Sequence, residues 1–231
     1  MTTDLIAFAG SMALLAGYHL FLVIKLRTDP NYTFQAMMAE SRAAWTRAVM
    51  EEHKDILAVQ TLRNSTMAAT FLASTAILLI SGVLTLSTQG DKLAATWQVL
   101  DAGTIATPGL WLIKMLVLLT DLFIAFFSFT MSIRVFHHVG YMINVPISRG
   151  MSPPLVAAQL NRAGRFYWVG MRTYFLLVPM VLWLFGPILM VVSSIALVSA
   201  LFRLDRLPMN TLSDAAPRSL LMECPAVPPG A

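Results

Sequence analysis

Four long apolar runs separated by short polar stretches set the plan of the chain. Residues 5–24, 65–86, 110–133 and 166–186 are each apolar enough and long enough for a helix to cross a bilayer, which takes about 20 residues. The fourth run, FYWVGMRTYFLLVPMVLWLFGP from Phe166 to Pro187, is followed by apolar sequence as far as residue 202. A straight helix over that whole length would reach ~55 Å against a hydrocarbon core of ~30 Å, so the chain has to kink, tilt or turn, and Gly186-Pro187 is the place for it. Residues 188–202 are short for a further crossing and read as an apolar extension of the fourth span, although Arg203 and Arg206 behind them resemble the end of one. The expected fold is all-α: a polytopic transmembrane helical bundle of four spans over residues 1–206, then a Pro-rich tail, 207–231, expected to be disordered.

Between the first two runs the pattern changes. Phe34, Met38, Trp45, Val49, Ile56 and Val59 fall at multiples of three or four residues, one face of a helix, while Glu40, Arg42, Arg47, Glu51, Lys54 and Asp55 take the other side. This predicts a long amphipathic helix over 33–63 that continues into the second span, since no Pro or Gly intervenes before Gly82. Such a helix can dock on the chain's own loops, lie on the membrane surface or meet a partner. Basic residues cluster after the first run (Lys25, Arg27), within 33–63, and between the third and fourth runs (Arg149, Arg162, Arg165), whereas residues 88–108 hold only Lys92 against Asp91 and Asp101. The positive-inside rule then makes the 33–63 helix cytoplasmic and puts both termini outside, in a multi-pass protein of the inner (plasma) membrane.

Composition agrees with the pattern. The chain is 57% hydrophobic and 12% charged, half the charge of an average soluble domain. A net charge of +4 spread over so few charged residues is an orientation signal and gives no footprint for nucleic acid. The bilayer is the expected partner, with another membrane protein or a second copy as further candidates. The one cysteine, Cys224, excludes an internal disulfide, and no metal site is expected. Nucleophile elbows, HExxH and paired carboxylates are absent from the sequence, and Glu51-Glu52-His53 reads as solvated helix surface.

Polar residues inside the runs are the candidate chemistry. Measured from the outer ends of their spans, His19 lies ~21 Å in, Asp121 ~17 Å and Arg172 ~21 Å, so three ionisable groups on three spans share a layer with Thr70, Ser74 and Tyr174. Asp121 and Arg172 are expected to pair, with His19 or Tyr174 as further partners. The pairing reads first as a structural network and second as a proton or ion site. Pro179 and Pro187 lack the N–H that would reach the carbonyls of Phe175 and Trp183, so those two need other donors. Lys114 is close enough to the outer edge to snorkel. Haem held by His19 with His137 or His138 is disfavoured, because the pair would have to meet across ~15 Å of depth; no cofactor is expected.

The stretches LRNSTMAATFLASTAILL (62–79) and YWVGMRTYFLLVPMVLWLFGP (167–187), with YHLFLVIKLR (18–27) and HHVGYMINVP (137–146), resemble the family called domain of unknown function 599. The resemblance covers about residues 10–200 and leaves out the tail. It implies a multi-spanning membrane protein, in bacterial and plant versions, and carries no established activity. Two readings of function follow from the residues. The first is a non-enzymatic accessory, assembly or interaction subunit, suggested by small-residue helix faces and the lack of catalytic motifs. The second is a small transporter or channel built on the His19–Asp121–Arg172 layer beside the proline-broken helix.

Overall fold

Each apolar run folds as a helix, and so does the extension after the fourth. The computed structural model describes residues 2–28, 33–88 and 108–205. Among these residues six α-helices follow in order: α1 Thr2–Thr28, α2 Phe34–Glu51, α3 Asp55–Thr88, α4 Pro108–Met142, α5 Pro153–Phe185 and α6 Pro187–Asp205, with a short 3-10 turn at Ile147–Arg149. All but α2 are long and apolar enough to cross a membrane, five helices in place of the expected four. The tail, Cys224 and residues 89–107 lie outside the described residues.

The extra helix comes from the break at Gly186. Its φ of +154° is open to glycine and closed to most side chains, and Pro187 restarts the helix at a first-turn position where a missing N–H costs nothing. The chain reverses there. Arg172 and Asp205 are 33 residues apart, ~50 Å along one straight helix, yet their side chains form an ion pair. So α6 runs back alongside α5. Its 19 residues span ~28 Å, nearly a full hydrocarbon core. Counting only 188–202 undervalued it, because the last turn, with Arg203 and Asp205, still belongs to the helix.

The amphipathic segment also differs from expectation. Thr33 caps α2, its Oγ1 accepting the N–H of Ala36 at 3.3 Å. The helix then stops at Glu51; His53 takes a left-handed φ of +54°, and α3 restarts at Asp55. The predicted 33–63 helix is therefore α2 plus the first turns of α3. Packing overrides the lack of a breaker. By turning away, α2 lays Val49 and Met50 in a core with Leu62 of α3, Val139 of α4, and Val156 and Leu160 of α5. Of the three roles open to it, α2 takes docking on the chain's own helices.

Alternating directions organise the rest. α5 packs closely against α4, and α3 packs on the same helix. Gly170 faces the Phe129 ring so tightly that a Cβ there would sit 2.7 Å from it, an overlap costing about 1–3 kcal/mol. The Ser132 hydroxyl donates across the same interface to the carbonyl of Ala163 at 3.0 Å. α1 packs chiefly on α6. The bundle thus has two ends: the turn end, at Gly186, and the α2 end.

Candidate functional site

The expected polar layer does not assemble as one cluster. Arg172 forms its ion pair with Asp205 at the end of α6 and lies over the Trp168 ring at 4.8 Å. Tyr18 of α1 donates its hydroxyl to the same carboxylate at 2.5 Å. Asp121 is therefore not the partner of Arg172: it is buried, 5% exposed, and its Oδ2 has no hydrogen-bond partner. The expected pairing fails because Asp205 becomes available only when α6 folds back. His19 does join the Arg172 side, with Nδ1 at 2.9 Å from the carbonyl of Leu15 and its ring edge-on to Trp168 at 6.5 Å. Tyr174 faces away, donating to the carbonyl of Leu72 on α3 and packing edge-on to Phe129 at 5.2 Å. Thr70 and Ser74 are exposed on α3, and the Thr70 hydroxyl bonds back to the carbonyl of Thr66 at 2.9 Å.

The two proline-freed carbonyls fare differently. That of Trp183 receives the Lys114 ammonium at 2.9 Å. Lys114 does not snorkel; it is 7% exposed and forms an ion pair with the 1%-exposed Asp4 at 3.1 Å. Phe8 stacks on the Trp183 ring at 4.7 Å and covers this clamp at the turn end. No side-chain donor among the described residues reaches Phe175, four positions before the buried Pro179. His137 and His138 are exposed, His137 in a shallow groove with Arg63, Met67 and Phe71, so they share no site with His19. No group of three or more His, Cys, Asp or Glu side chains among the described residues could hold a metal ion.

What the fold does build is a cavity of about 390 Å³ at the α2 end, between α1, α2 and α5. It exists because α1 leans on α6 while α2 leans on α5, which leaves the α5 face from Asn161 to Arg172 uncovered. Asn161, Arg165, Trp168 and Arg172 are spaced 4, 3 and 4 residues apart, one stripe of a helix. Asn161 fastens α2 to this stripe: its Oδ1 accepts from Arg42 Nε at 2.7 Å, and its Nδ2 donates to the carbonyl of Ala39 at 3.1 Å. Gly164 makes room for Arg42, since a Cβ there would lie 3.1 Å from the guanidinium carbon. The remaining wall combines apolar Leu22, Val23 and Leu26 of α1 and Val169 of α5 with the polar His19, Thr33 and Gln35.

The electrostatics of this cavity are one-sided. Among the described residues three guanidinium groups line it, those of Arg42, Arg165 and Arg172, with one carboxylate, that of Asp205. Burial first, and the neighbouring Arg165 charge second, lower the proton affinity of Arg42 from its ordinary value, yet a guanidinium stays charged in proteins. Arg172 is 7% exposed and its Nη1 has no hydrogen-bond partner. An anion in the cavity would relieve both conditions, and arginine forks suit phosphate and carboxylate oxygens best. In the sequence Arg42 and Arg165 read only as polar-face and orientation charges, and nothing there singled out Asn161, Trp168 or Asp205.

The chain matches the family model described as Protein of unknown function, DUF599, over residues 6–209, and it belongs to that family. No curated protein and no solved structure matches it.

Proposed function

We propose that this DUF599 protein is a non-enzymatic integral membrane protein of the interaction or accessory type, and that its work is to hold an anionic amphiphile in the cavity at the α2 end. The observation that carries this is a cavity lined, among the described residues, by three arginines and one carboxylate together with apolar side chains. A phosphate-bearing lipid headgroup matches the arginines, and its acyl chain can lie along Val23, exposed on α1, and the half-buried Leu26. Basic pockets between helices on the cytoplasmic side are where anionic headgroups bind. Arg27, Arg47, Arg63, Arg149 and Arg162 lie toward this end too, which supports a cytoplasmic α2 end in the inner membrane. On this reading five crossings replace the expectation of two outside termini: α1 starts outside and α6 ends inside.

Lipid analysis of the protein purified in mild detergent tests this reading. Wild type should retain anionic phospholipid, and the double variant Arg42→Gln/Arg165→Gln should lose most of it while staying folded. Rebinding trials with phosphatidylglycerol nanodiscs and with inorganic phosphate separate a lipid headgroup from a free anion. Equal lipid content in both proteins would sink the proposal. The second reading, a small transporter, is favoured by one observation, the buried and unpaired Asp121.

A further inference from the structure

The cavity at the α2 end is built in two tiers. Arg42 and Arg165 form the outer one. The Arg42 guanidinium lies against Gly164, where a Cβ would sit 3.1 Å from its central carbon, and its Nε is spent on Asn161. Arg172 forms the inner tier. Its guanidinium leans back over the Trp168 ring at 4.8 Å, as long helical side chains do toward the N-terminus. Gly164 and Trp168 are about one turn apart on α5, and the two tiers are separated by that rise, ~6 Å. Counted from Gly186, where the hairpin turns, Trp168 stands ~27 Å along α5 and Gly164 ~33 Å. The edge of a ~30 Å hydrocarbon core falls between them. The inner tier therefore lies at the hydrocarbon boundary and the outer tier in the headgroup layer.

Charge separates the tiers as well. Arg172 and Asp205 form an ion pair, to which the Tyr18 hydroxyl adds a hydrogen bond, so the inner tier carries no net charge. Arg172 lines the cavity, gives Asp205 its Nη2 and keeps a buried Nη1 that has no partner. The cavity-lining His19 spends its Nδ1 proton on the Leu15 carbonyl at 2.9 Å, since a carbonyl only accepts. In the outer tier stand two cations, and among the described residues the one carboxylate lining the cavity is already taken by Arg172. A tier with two unmatched cations calls for an anion. A neutral tier with one unspent donor calls for an uncharged acceptor.

We propose that the cavity recognises a diacyl glycerophospholipid at two points, its phosphate by Arg42 and Arg165 and an acyl ester carbonyl by Arg172. This rests on the reading of the cavity as an anionic-amphiphile site and adds the linkage of the acyl chains to what is selected. One glycerol unit separates the phosphate from the ester carbonyls, a length that suits the single turn between the tiers. The order along the membrane normal is also the lipid's own: phosphate outermost, carbonyl at the hydrocarbon edge, chains beyond it past Leu22 and Val169. A headgroup ammonium does not suit Asp205, because it lies on the water side of its phosphate, whereas Asp205 pairs with Arg172 on the membrane side of Arg42 and Arg165.

Native mass spectrometry of the full chain in detergent tests this with two synthetic lipids, phosphatidylglycerol with two ester-linked chains and its diether counterpart with the same headgroup and chain length. Wild type should bind the diester about tenfold more tightly, the worth of one hydrogen bond from a charged donor. Arg172→Gln should bring the two lipids to one affinity, while Arg165→Gln should weaken both and keep their ratio. The two lipids are compared within wild type, so the result stands even where Arg172→Gln folds poorly. Equal affinity of wild type for both lipids, or preference for the diether, overturns the two-point inference and leaves the anion site intact. A diester preference that persists in folded Arg172→Gln overturns the assignment of the carbonyl to Arg172. Binding of neither lipid removes the anionic-amphiphile reading and this inference with it.

Discussion

The two ends of the bundle treat charge in opposite ways. At the turn end one ammonium meets one carboxylate, Lys114 and Asp4, both almost fully buried, and the ammonium also completes the backbone by reaching the Trp183 carbonyl. At the α2 end three guanidinium groups and, among the described residues, one carboxylate line a cavity, and it is Arg172 that pairs with that carboxylate. The first arrangement closes a helical hairpin whose proline has removed a donor. The second leaves positive charge unspent. Buried charge that is matched one for one marks a place where the fold is held, and charge left in excess marks a place for something the chain does not itself supply.

The contrast predicts which substitutions are felt as lost stability and which are not. Lys114→Met should have the largest effect, about 3–5 kcal/mol, since it strands a carboxylate and a carbonyl in the interior. Thermal unfolding in detergent would show it as a steep drop in midpoint, with Asp4→Asn/Lys114→Met harmed less than the sum of the single changes. Arg172→Gln removes a cation from Asp205 at the wall of the cavity, where Tyr18 still donates to that carboxylate. A loss of about 2–3 kcal/mol is expected, the upper range for hydrogen bonds to charged groups. A loss equal to that of Lys114→Met would erase the distinction between the two ends. Asn161→Ala deletes both bonds that fasten α2 to α5, for about 1–2 kcal/mol. Proteolysis near His53 should report a loosened α2 before global unfolding does. Arg42→Gln/Arg165→Gln comes last: relief of the repulsion between two like charges offsets much of the lost Arg42–Asn161 bond, and stability should stay within about 1 kcal/mol of wild type. A sharp destabilisation by this pair would show the arginines to be structural and would remove the reason for placing an anion between them.

How much of this could be read beforehand depends on the kind of interaction. Spans were legible because about 20 consecutive apolar residues state their own solvent. The orphaned carbonyls of Phe175 and Trp183 were legible because proline removes a donor at a fixed offset, and Lys114 does answer one of them. The break at Glu52–Lys54 was not, since no breaker marks it and only the packing of Val49 and Met50 rewards it. Nor was the crossing by α6, because the turn at Gly186 can redirect a chain along the surface or back through the bundle equally well in sequence.

Sequence by itself determined an all-helical membrane protein, the position of each polar residue along its helix, and the need for extra donors around two prolines. These are local matters of composition, periodicity and missing N–H groups. Tertiary structure alone decided which acid meets which base. Depth along a helix is only one coordinate; the direction of the neighbour and the rotation of both faces are the others. Reversal at Gly186 brings Asp205 to Arg172 and leaves Asp121, at a similar counted depth, buried with its Oδ2 unpartnered among the described residues.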